Sequence, residues 1–284
     1  MRKFKALLKK DLQIGKKTLL MPIWIILGYY ILIAIALLIA FLGSDLQINL
    51  ADIDFSDAPS VHIISYVAGL GIMSFPVILA AIFTLIMTQS GLNEDIRWNS
   101  ELFHRSQPVS VWLRSLSKYV SGIAGNWLTY LAIGLLNLII VVVILLSLNQ
   151  LRLDFLLAGW LQALVGMMKI TLIIGSFCFL FSALFKDKAF LQGLAIIVGI
   201  HFLVLILNFL LGWNLPLPLN NIIHLLKTNT IRGLDSFVTE KEIRHLIYLN
   251  WQDLVLSWRS LIQILVSGLL FIISTFIYKS KEIK

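Results

Sequence analysis

Few residues in this chain could carry out chemistry, and their spacing argues against most of it. Glu242 and His245 make one E-x-x-H with no second copy, and no H-E-x-x-H occurs. The pair of histidines on one helix face that a zinc peptidase needs is therefore missing. Met167, Met168 and Cys178 offer soft sulfur at a spacing that makes no coordination set, so they read as packing. Cys178 is the single cysteine, which leaves neither a disulfide framework nor a cysteine metal site. No Ser/His set or pair of carboxylates within the apolar stretches suggests a lipid hydrolase or transferase. No G-x-x-x-x-G-K-[ST] is present either, so the chain carries no phosphate-cradling loop. The expectation is no catalytic residue, no metal and no cofactor on this polypeptide.

Two polar residues stand inside otherwise apolar stretches. Lys169 lies near the middle of one, where a charge costs about 2.5–3.5 kcal/mol to insert. It reads either as a contact for an anionic substrate or a paired carboxylate, or as a cation snorkelling from a tilted helix. His201 reads either as a helix-packing histidine or as a polar group on a translocation path.

The elements that position these residues follow from hydropathy. The 284-residue chain is 59% hydrophobic and 13% charged, with mean hydropathy +0.91. That is too apolar for a soluble domain. Apolar runs at 19–42, 63–87, 119–148, 156–185, 189–212 and 261–278 predict six membrane-spanning helices. Residues 1–17, with seven basic side chains and Phe4, Leu7, Leu8 and Leu12 on one face, predict an interfacial helix. The long apolar run that follows has no small-residue cleavage site, which argues against a signal peptide. Residues 213–258 form a longer polar loop with two amphipathic stretches.

The net charge of +8 lies at membrane flanks rather than on a folded face, which argues against nucleic acid. Seven basic residues stand in the N-terminal segment, four in 89–118, two in 186–188 and three in the tail, sixteen on one side. The opposite side has five, and the 43–61 loop contributes four aspartates and no base. By the positive-inside rule both termini are expected in the cytoplasm, with that acidic loop outside.

Between the second and third spans lies a polar island, Gln89–Lys118. Ile96, Trp98, Leu102 and Phe103 share roughly one helical side, and Glu94, Asp95, Arg97, Glu101 and Arg105 surround them. Pro108 ends that helix, because the residue before a proline avoids helical angles and proline has no amide to continue the ladder. Val109, Trp112, Leu113 and Leu116 restart a helical period. The island predicts a short amphipathic helix over 89–105, docked on a protein partner or lying on lipid. Its three acids disfavour an anionic leaflet.

This pattern resembles the coupling helix of the ABC-2 permease family. The resemblance rests on Glu94-Asp95-Ile96-Arg97, Glu101-Leu102-Phe103, Pro108-Val109-Ser110 and Lys118, and on Lys10-Asp11-Leu12 in the surface helix. The family's usual Gly-Thr after the acidic pair is Asn99-Ser100 here. The resemblance implies an all-α polytopic exporter fold, one permease domain over 1–284 and a dimer with a second or homologous permease. It also implies a partner ATPase subunit that binds ATP and Mg. Trp98, Leu102 and Phe103 would then be apolar anchors, with Glu94, Asp95, Arg97, Glu101 and Arg105 as the polar rim. Prokaryotic inner-membrane export is the function expected. A membrane enzyme or an ion-coupled carrier is the alternative.

Overall fold

The computed structural model describes residues 2–43, 61–93, 109–227 and 239–281. Among the described residues the architecture is all-helical, and six segments are long and apolar enough to cross a membrane. The chain is a multi-pass membrane protein.

Helix α1 (Arg2–Ile14) is amphipathic and meets α2 (Lys16–Gly43) at Gly15. Leu12 and Leu19 pack toward Gly125, and the Ser117 hydroxyl donates to Asp11, so α1 is seated on the bundle. Most of α2 is apolar all round and exposes its large side chains (Trp24, Leu32, Leu38, Ile39), as a lipid-facing helix does.

The second apolar run is two helices, α3 (Val61–Gly71) and α4 (Ser74–Gln89). Pro76 accounts for the break. It has no N–H to give the carbonyl four residues earlier, that of Ile72. The Asn137 side-chain amide donates to this oxygen instead, at 3.2 Å. In hydrocarbon a freed carbonyl needs such a partner.

Helix α5 (Val111–Ser147) begins at the Ser110 cap, whose hydroxyl accepts from the Leu113 amide at 3.3 Å. It therefore starts eight residues before the apolar run at 119. Its first two turns mix Trp112, Leu113 and Leu116 with Arg114, Ser115 and Ser117, which lowers hydropathy without breaking the helix. At 1.5 Å per residue its 37 residues extend about 55 Å, well beyond a hydrocarbon core of about 30 Å.

Helix α6 (Leu153–Leu184) is the centre of the bundle, packed against α3, α4, α5 and the last span. Small residues allow this. A Cβ added at Gly69 would lie 2.2 Å from the Leu156 oxygen, and one at Gly159 2.4 Å from the Tyr66 oxygen. The two backbones touch there. The main core lies around this contact, with Met73, Tyr130, Leu156, Trp160 and Met167 buried together.

Helix α7 (Ala189–Leu211) buries only Ala189 and Gly193. It is followed by the short α8 (Pro218–Leu226). Then comes α9 (Glu240–Trp251), opened by a capping box in which Thr239 and Glu242 satisfy each other's amides. A wider π-turn (Gln252–Leu256) joins α9 toward α10 (Trp258–Ser280), which Ser257 caps. The amphipathic stretch 239–258, which hydropathy assigns to the loop, is thus largely helical and leads into the sixth span across the extended Ser257. Ile243 and Leu246 of α9 bury against Ile63, Tyr66 and Phe155. Arg244 bonds Asp154 at 2.9 Å and Glu240 at 2.8 Å and lies 4.9 Å from the Phe155 ring centre.

Candidate functional site

The expected partner-contact residues, Glu94, Asp95, Arg97, Trp98, Glu101, Leu102, Phe103 and Arg105, lie outside the described residues. Both flanks of the island are described, and both meet one apolar cluster. On the leading side Leu92 is fully buried with Phe179, Ala183 and Tyr278. Its amide donates to the Ser182 hydroxyl at 3.3 Å. On the trailing side Val111 and Tyr119 pack on the same cluster. The Tyr119 ring lies 4.8 Å from Phe271 and 5.3 Å from Phe179, and its hydroxyl is 2.6 Å from that of Ser176. The ends of the island are therefore tied to α6 and α10, so a displacement of it would be felt by both helices.

A second polar set joins α6 to the α9–α10 segment. The Tyr66 hydroxyl donates to Gln162 Oε1 at 2.6 Å and accepts from Asn250 Nδ2 at 2.9 Å. Gln162 Nε2 donates to the Ile247 oxygen at 3.0 Å. Two helical turns further along the same face of α6, Lys169 Nζ donates to the Leu254 oxygen and to Ser260 Oγ, each at 2.6 Å. Lys169 thus faces the joint between the π-turn and α10. Its ammonium serves a carbonyl that the irregular backbone leaves over, as an intramembrane cation can in place of a carboxylate.

Beside this joint, Arg259 Nη2 donates to the His224 oxygen and Gln263 Nε2 to the Leu225 oxygen at 2.6 Å. These are carbonyls of the last turn of α8, which the helix itself cannot satisfy. Lys169, Ser260, Arg259 and Gln263 so gather α6, α8, the π-turn and α10 at one place.

His201 stands apart from this group. It is half-buried on α7 with its ring 6.2 Å from that of Phe202, and its Nδ1 is buried without a partner. No hydrogen bond links it to Lys169. An apolar groove of about 330 Å³ beside the α3–α4 break is lined by Val67, Leu70, Ser74, Val77, Gly166 and Met167 and includes neither residue. Glu242 of the E-x-x-H pair is used in the α9 capping box. Among the described residues no three His, Cys, Asp or Glu side chains group so as to hold a metal ion.

Sequence reasoning missed Tyr66, Gln162, Asn250, Arg259 and Ser260. One signal was present, because Gln162 and Lys169 are seven apart and share a face of an otherwise apolar helix. No family model, curated protein or solved structure matches this chain.

Proposed function

We propose that the chain is the membrane-spanning permease subunit of an ATP-driven exporter of the ABC-2 class. The observation that carries this reading is the charged island between the second and third spans, with both flanks tied to one cluster on α6 and α10. Such a segment suits mechanical coupling. A partner that closes on ATP and Mg pushes the helix over 89–105, and its anchored ends pass the push to the centre of the bundle. The chain has no phosphate-cradling motif of its own, which fits an ATPase on a separate subunit. The permease pairs with a second copy or a homologue. It lies in the inner membrane of a prokaryote with both termini cytoplasmic, as the sixteen-to-five distribution of basic residues favours.

The test is co-purification. Truncating a large apolar anchor costs about 2–4 kcal/mol of binding, roughly thirty- to eight-hundred-fold in affinity. Trp98→Ala with Phe103→Ala is expected to give a folded, membrane-inserted permease that no longer retains an ATPase subunit. Glu101→Arg should keep part of the complex but separate ATP hydrolysis from transport. A double-alanine variant that still holds its ATPase and transports normally would refute the coupling role.

A further inference from the structure

Lys169 and Arg259 are both half-buried, and Lys169 bonds the hydroxyl of Ser260, the residue that follows Arg259, at 2.6 Å. Lys169 is at the middle of the 32-residue α6, about 24 Å along the axis from either end. Two like charges at that depth repel in surroundings that screen them poorly. Capping backbone carbonyls does not require this arrangement. Gln263, which is neutral, does the same for the Leu225 oxygen one residue from the carbonyl that Arg259 serves.

Neither cation has a carboxylate partner among the described residues. Lys169 directs two of its three N–H groups to Leu254 and Ser260. Among the described residues Arg259 has a single hydrogen bond, from Nη2, and its Nε is buried without a partner. Donors and positive charge therefore remain where α6, α8, the π-turn and α10 meet.

We propose that Lys169 and Arg259 form an anion site, taking an oxyanionic group such as a phosphate or carboxylate between them. A guanidinium presents parallel N–H groups that suit the two oxygens of such a group, and the ammonium adds a compact charge beside it. An anion there relieves the repulsion between the cations and uses the free donors. In the exporter reading the anion is the polar head of the cargo. That assignment rests on the permease proposal, whereas anion binding by the isolated protein does not, so the two can fail separately.

The experiment uses the purified full chain in phosphatidylcholine nanodiscs, with thermal unfolding followed by tryptophan fluorescence. One arm adds inorganic phosphate against chloride at equal ionic strength. The other replaces part of the phosphatidylcholine with phosphatidylglycerol. A rise in Tm in the first arm identifies a soluble anion, and a rise only in the second identifies a lipid headgroup. Lys169→Met and Arg259→Gln should each shift the concentration needed by about tenfold or more, the loss of one charge-assisted contact. Lys169→Arg and Arg259→Lys keep the charge and should retain most of the response, which separates lost binding from lost folding. No rise in either arm, or a rise that survives in the Lys169→Met/Arg259→Gln double variant, overturns the proposal.

Discussion

Gly159→Ala tests the contact on which the bundle is built. The added methyl would lie 2.4 Å from the Tyr66 carbonyl oxygen and 3.0 Å from the Leu70 nitrogen, both backbone atoms that cannot rotate away. Ordinary contact begins near 3.4 Å, so α3 and α6 must part by about 1 Å. Overpacking of this kind costs about 1–3 kcal/mol. The same parting stretches the 2.6 Å bond from Tyr66 to Gln162 past useful length, which adds about 0.5–1.5 kcal/mol. The total is about 3 kcal/mol. At about 2–4 °C per kcal/mol for a large domain, Tm should fall by about 6–12 °C. The assay is retention of monodisperse protein in detergent after heating. Gly71→Ala is the control, because a methyl there meets nothing within 4 Å, and its Tm should be unchanged or slightly raised. Equal stability of Gly159→Ala and Gly71→Ala would show that α3 and α6 are not in backbone contact.

The break at Pro76 predicts a double-mutant cycle. Asn137→Leu strands the Ile72 carbonyl and should cost about 1–3 kcal/mol, whereas Pro76→Ala supplies an amide for it, so the pair should be more stable than Asn137→Leu alone. Additive effects in thermal unfolding would refute the assigned role of Asn137. The orientation is open to cysteine labelling, in which an impermeant thiol reagent applied from outside should modify Asp54→Cys and spare Ser280→Cys. Labelling with the opposite preference would invert the topology and remove the exporter reading with it.

The class of this protein was legible from composition, because a helix that satisfies its own backbone and shows an apolar surface is what a bilayer accepts. Six apolar runs announced the six crossings, but the second reads as one uninterrupted run, and only the structure divides it into α3 and α4 ahead of Pro76. The basic N-terminal face likewise announced α1. Where hydropathy and structure part, the reason is physical. Glu240, Lys241, Glu242 and Arg244 depress the local average, yet a capping box starts a helix there and Ile243 and Leu246 find an apolar surface on α3 and α6. Hydropathy sees the charges and cannot see that surface. The polar set around α6 was beyond sequence for the same reason. Lys169 stood out as a charge in an apolar run, but its partners lie 85 and 91 residues away, and Asn250 reaches Tyr66 across 184. Local pattern determines that a helix forms and which face is greasy. Which polar group meets which is decided only when glycines such as Gly69 and Gly159 let particular helices approach, since hydrogen bonds act over about 3 Å.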